Sequence, residues 1–175
     1  MPYDPRRHRR RSIRLAAYDC NRAGAYFVTV CTRDRSHLFG DIYEGMMREN
    51  AQGRAVRAMW EALPERYPRV RLGAFVVMPN HAHGVVLVQP DSVDGVPLSV
   101  PPKRERRRML PPRVVGSWKM TASKQINVLR GTPGTPVWQR GYYEHVIRSA
   151  ADHDRIRRYI DANPARWDRD RLRAA

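Results

Sequence analysis

A chain of 175 residues, 42% hydrophobic and with a mean hydropathy of −0.67, is long enough for one domain with a buried core and suits a heavily charged globular protein. No apolar run approaches a membrane span, and the N-terminal "MPYDPRRHRRRSIRL" lacks the apolar centre of a signal peptide, so one cytoplasmic domain over 1–175 with no membrane partner is expected. The balance of 33 basic to 17 acidic residues, net +16, asks for a polyanionic partner; three of the basic residues are lysines, at 103, 119 and 124, and the other 30 are arginines, whose planar fork matches phosphate.

Cys20 and Cys31 are the two cysteines. They have neither the C-x-x-C spacing of a metal or redox motif nor the density of a secreted scaffold, so both read as free thiols.

In chain order, residues 1–15 form a basic arm, with Arg9, Arg10, Arg11 and Arg14 as candidate DNA contacts or as a solvated tail. "AYFVTVCT" (25–32) is β-branched and aromatic, hence a strand. From Met47 through Leu63 apolar residues recur at helical spacing, and Pro64 or Pro68 ends that helix. "RVRLGAFVVM" is a second strand, Pro79-Asn80 a turn, and "HAHGVVLVQ" a third strand. Residues 90–112 hold six prolines and a basic cluster, and read as a flexible loop. Val114 to Arg130 reads as a helix stopped by Gly131, with Lys119 and Lys124 as candidate phosphate contacts. "VWQRGYYEHVIR" supplies a fourth strand region, in which Trp138 and Gln139 are expected to pack or to position the last helix. That helix opens at Ser149 or Asp152 and runs to Asn163-Pro164. The order β-α-β-β-α-β plus a helix predicts an α+β fold: a ferredoxin-like (split βαβ) antiparallel sheet with helices on one face and a C-terminal helix.

His81 and His83 lie two apart on a strand, so both imidazoles project to one face and can share a metal ion. A lone His-x-His arises easily by chance, and more evidence is needed to make it a site. Tyr159 and Asn163 are one helical turn apart on the last helix. Tyr159 can serve as a phenolic nucleophile or as a half-buried core residue; Asn163 can offer an amide oxygen to a hard cation or simply cap the helix before proline. Together with the histidines they suit phosphodiester chemistry, in which Mg²⁺ or Mn²⁺ polarises the phosphoryl oxygen and a tyrosine forms a covalent intermediate. Imidazole ligands favour Mn²⁺ of the two. Tyr142 and Tyr143 are competing tyrosines that face opposite ways on their strand, and His145 reads as a satisfied polar residue.

The stretches "VVMPNHAHGVV", "GSWKMTASKQIN", "VWQRGYYEHVIR" and "YIDANPARW", with "RRSIRL…YFVTVCT" before them, resemble the HUH single-tyrosine transposases of the insertion-sequence-200 type, and most of all the REP-associated tyrosine transposases. The resemblance spans nearly the whole chain. It implies a ferredoxin-like domain that cleaves and rejoins single-stranded or hairpin DNA through a 5′-phosphotyrosine. It makes Tyr159 the nucleophile, His81 and His83 the metal-binding pair, and Asn163 the residue that completes the metal site. Both monomers and homodimers fit the resemblance. The alternative is a non-catalytic ferredoxin-like nucleic-acid-binding module. Such sheets usually show aromatic residues on the open face, where this chain places histidines.

Overall fold

The structure is a computed structural model that describes residues 23–90 and 110–173; the basic arm, Cys20 and most of the proline-rich segment lie outside the described residues. Strands β1 (Gly24–Cys31), β4 (Val70–Met78), β5 (His81–Val88) and β6 (Tyr143–Ile147) form one sheet in the order β4-β5-β1-β6. Every neighbouring pair is antiparallel. Helix α1 (Ala51–Glu61), extended by the single turn α2 (Leu63–Arg66), links β1 to β4, and α3 (Leu110–Arg130) links β5 to β6. The two β-α-β units interleave, which is the predicted ferredoxin-like arrangement.

The central strands β1 and β5 are buried on both faces, so their residues sort by parity into two cores. Tyr26, Val28, Val30, Ala82 and Val86 meet α1 and α3 through Val56, Trp60, Val115 and Trp118. Phe27, Val85, Val76 and Met78 meet α4 (Ala150–Ala162) and the following 3₁₀ turn through Ile156, Ile160 and Trp167. His81 and His83 share the parity of Val85, so both point toward α4.

The structure corrects several boundaries. Residues 40–49, of which Met47 was expected in a helix, form the hairpin β2 (Gly40–Tyr43) and β3 (Met46–Glu49). Its turn residues Glu44 and Gly45 have φ of +50° and +72°, as a type I′ turn requires, but Glu-Gly lacks the Asn or Asp that usually announces one. Helix α1 begins only after Asn50, whose side chain accepts from Gly53 N at 2.9 Å. Helix α3 starts at Leu110, so 110–112 are not loop; Pro111 and Pro112 sit in the first turn, where a missing N–H costs nothing. Trp138 packs on Trp118 and Phe39 and donates to Lys119 O at 3.0 Å. Of its two expected roles it therefore takes packing: it braces α3 on the opposite face of the sheet and does not position the last helix.

Candidate metal and tyrosine site

Ser149 opens α4, its hydroxyl accepting from Asp152 N at 3.1 Å. Ile156 and Ile160 anchor the helix in the second core, and this rotation carries Tyr159 and Asn163 over β5. Tyr159 OH lies 3.2 Å from His83 Nε2, and His83 Nδ1 lies 2.8 Å from Thr29 Oγ1, its antiparallel partner on β1. Phe27 stacks on the His83 ring at 5.4 Å and meets Tyr159 edge-on at 6.1 Å. The strand pair therefore fixes His83, and the helix brings the phenol to it.

His81 is held from the other side. Asn80, fully buried in the turn before β5, donates through Nδ2 to Leu172 O at 2.8 Å and to Arg35 O at 3.1 Å. Arg35 is in the left-handed region at φ +53°, an uncommon conformation for a side chain of this size, and its guanidinium donates to Arg171 O at 2.9 Å. Two carbonyls can only accept, so the Asn80 amide has one orientation. Its Oδ1 then faces His81 Nδ1 at 2.8 Å, and that nitrogen must carry the proton. A neutral His81 thus presents a bare Nε2.

That Nε2 faces Asp170 Oδ2 at 3.6 Å, and both atoms are buried without a hydrogen bond. The other carboxylate oxygen of Asp170 accepts from Leu172 N at 2.7 Å. Asn163 Oδ1 is the third bare buried acceptor here. The Asn163 carboxamide lies near enough to His81 and Tyr159 to bias the titration of both, yet its oxygen makes no hydrogen bond of ordinary geometry. Bare acceptors gathered in one buried site repel unless a cation lies between them. His81, His83 and Asp170 each offer a ligand atom within 4.8 Å of the others, a group that could hold a metal ion.

Burial, more than any neighbour, pushes the His81 pKa down to about 4, the pull of Asp170 notwithstanding. Burial also holds His83 well below its ordinary value, and His81 pushes the same way. Both rings are therefore neutral near pH 7, the form that ligates metals. Burial and the charge of Asp170 raise Tyr159, while Asn163 and Arg171 work against them.

Of the residues singled out in the sequence, Tyr159, His81, His83 and Asn163 converge. Tyr143 joins them at the rim of a recess of about 590 Å³ that also touches His83, Asn163 and Asp170. Tyr142 points away, its hydroxyl 2.8 Å from Glu144 Oε2. His145 pairs with Asp152 at 2.9 Å. Lys119 donates to Gln139 O and Gly141 O at 2.9 and 2.7 Å on the far side of the sheet, and burial lowers its pKa to about 8. Lys124 is exposed on α3. Arg9, Arg10, Arg11 and Arg14 lie outside the described residues. Sequence reasoning missed Asp170 and Asn80. Asp170 is one acid in the charged "WDRDRLR", and its place depends on the 3₁₀ turn Pro164–Arg169. Asn80 carried a signal, being next to His81, but it read as a turn residue.

A Haemophilus influenzae protein of uncharacterised function is 36% identical over 173 residues, covering 94% of this chain and 93% of its own. The chain belongs to the family of that protein. No protein-family model matches the chain. A REP-associated tyrosine transposase, solved bound to a REP hairpin, aligns at a TM-score of 0.55 and 23% identity, over 88% of this chain and 73% of its own. The chain thus has a fold similar to that of the transposase. A crystal structure of a candidate transposase from Deinococcus radiodurans aligns at a TM-score of 0.49 and 14% identity, over 85% of this chain and 95% of its own. Among the described residues no helix is long and apolar enough to cross a membrane.

Proposed function

We propose that the protein is a metal-dependent DNA strand-cleaving and strand-joining enzyme of the HUH single-tyrosine transposase class, acting on single-stranded, hairpin-bearing DNA. The observation that carries this reading is the cluster of bare acceptors, His81 Nε2, Asn163 Oδ1 and Asp170 Oδ2, beside a tyrosine hydroxyl 3.2 Å from the second histidine. The likeness to a hairpin-bound tyrosine transposase supports the same reading.

His81, His83 and Asn163 hold the cation, with Asp170 as the further ligand that the sequence did not reveal. Two imidazoles, an amide oxygen and a carboxylate suit Mn²⁺ and, less tightly, Mg²⁺. The bound ion supplies Lewis acidity at the phosphoryl oxygen. The phenol of Tyr159 is protonated at neutral pH, so its proton must leave as its oxygen attacks phosphorus. The P–O3′ bond breaks as the Tyr159 O–P bond forms, the proton balance closes on the released 3′-OH, and the 5′-phosphate stays on Tyr159. Strand joining is the reverse attack by a 3′-OH.

The test is an adduct assay with Mn²⁺ and a hairpin-bearing oligonucleotide. The wild-type protein should form a covalent complex stable to denaturant, and Tyr159→Phe should form none. His81→Ala should lose the adduct and keep salt-sensitive DNA binding. DNA binding with no adduct under any divalent ion would leave a non-catalytic binding module instead.

A further inference from the structure

We propose that the groove between β6 and the end of α4 is a binding track for a single DNA strand, with an unpaired base stacked on Tyr143 and backbone phosphates on Arg158 and Arg166. This rests on the nucleic-acid reading of the adjoining site. The groove encloses about 930 Å³ and is lined by four arginines, at 155, 158, 166 and 171, and by no carboxylate. It runs into the metal and tyrosine recess, with which it shares Phe27, Tyr143, Tyr159, Arg166 and Arg171. A strand lying in it would therefore lead to the Tyr159 hydroxyl.

The chemistry of the lining chooses the occupant. Arg155 pairs with Asp152, but Arg158, Arg166 and Arg171 have no carboxylate partner among the described residues. Guanidinium groups without a carboxylate partner on two walls of one groove suit a run of phosphates better than one small anion, and Arg158 spends only Nε, on Asp154 O at 3.3 Å. Arg155, Arg158 and Tyr159 lie along one face of α4, so that wall follows the helix toward the nucleophile. Tyr143 is 44% exposed although it sits edge-on to the buried Phe27 ring at 6.3 Å. An aromatic face held rigid from behind and open in front is a stacking platform, and a base can stack there only if it is unpaired. Duplex DNA would meet the arginines but leave Tyr143 idle.

The experiment measures binding without chemistry: fluorescence anisotropy in EDTA, with a labelled oligothymidylate and a blunt duplex of the same length, over a range of salt. Wild type should prefer the single strand. Tyr143→Leu should weaken single-strand binding roughly five- to a hundred-fold and leave duplex binding unchanged, while Tyr143→Phe retains the preference. Arg158→Gln with Arg166→Gln should flatten the single-strand salt slope by about 1.4, at roughly 0.7 for each lost phosphate contact. All three side chains are exposed, and a thermal melt of each variant confirms folding. Unchanged single-strand affinity in both sets of variants, or an equal loss on duplex from Tyr143→Leu, would overturn the proposal. So would tighter binding of oligouridylate, which would make the strand RNA. Loss of the Tyr159 adduct with these binding effects intact would sink the enzyme reading and leave the track standing.

Discussion

Asn80 Oδ1 accepts from His81 Nδ1 at 2.8 Å, and the same side chain ties down the carbonyls of Arg35 and Leu172. One buried amide thus sets which nitrogen of His81 is bare and fastens two distant segments around it. Removing it leaves one buried donor and two carbonyls without a partner, each costing about 1–3 kcal/mol before relaxation. Asn80→Ala should therefore destabilise the fold by about 2–4 kcal/mol. Because a partner that orients a ligating histidine typically governs 10- to 100-fold in metal affinity, Mn²⁺ binding should weaken by about that factor. Denaturant unfolding reads the first effect, and titration of the Mn²⁺ electron-spin signal reads the second. Mn²⁺ affinity equal to wild type would refute the orienting role.

Asp170 makes a prediction of opposite sign with and without metal. Its bare oxygen faces the bare His81 nitrogen at 3.6 Å, a contact that is unfavourable until a cation enters. Asp170→Asn replaces one acceptor by an N–H donor and should raise metal-free stability by about 1 kcal/mol. The same change should shrink the Mn²⁺-induced gain, which for a site held at about 100 times its dissociation constant is roughly 2.7 kcal/mol. Thermal melts with EDTA and with Mn²⁺ distinguish the two. If the variant is less stable in EDTA and gains as much from Mn²⁺ as wild type, Asp170 is a structural anchor and not a ligand.

Acid should unfold the metal-free protein in a window set by His81. Its folded pKa is about 4 against an ordinary 6.5, so between those values the unfolded chain binds more protons than the native one. Stability is then full above about pH 6.5, falls as pH drops, and stops falling on this account near pH 4, for a total of about 3 kcal/mol. His83, also held well below its ordinary value by burial, adds a loss of the same sign that likewise begins as pH falls below 6.5. Asp152, held down to about 2 by His145 and Arg155, adds its own loss only as pH falls from 3.8 toward 2. Urea midpoints measured from pH 7 to 4 test this, and a flat profile across that range would contradict neutral buried histidines. Mn²⁺ should delay the fall, because metal and proton compete for the same nitrogens.

The strands were legible because β1, β4 and β5 are built from valine and aromatic residues with clear turns between them, and α4 because of its cap and its apolar spacing. The two histidines, the tyrosine and the asparagine were legible because strand and helix periodicity put each pair on one face. The hairpin β2-β3 was not, since its strands are four residues each and its Met47 fits the helical spacing of the following segment equally well. Asp170 and Asn80 were hidden for a deeper reason. Their roles come from tertiary closure of the chain end onto the β4–β5 turn, which no local pattern encodes.

Gly84 stands between His83 and Val85 and turns its missing side chain to the first core. A Cβ there would lie 2.5 Å from Trp60 Cζ2 and 2.9 Å from Phe75 Cδ2. Trp60 is almost fully buried, stacked on Phe75 at 4.7 Å and edge-on to Trp118 at 4.9 Å, so it has nowhere to yield. Gly84→Ala should cost about 1–3 kcal/mol by overpacking. The strain also pushes β5 toward α4, which would shift His83 against Tyr159, so adduct formation should fall by more than the loss of folded protein explains. Urea unfolding followed by tryptophan fluorescence measures the first effect, and single-turnover adduct rates at a temperature where the variant is fully folded measure the second. An alanine variant as stable and as fast as wild type would mean that the indole moves freely, against the packing seen around it.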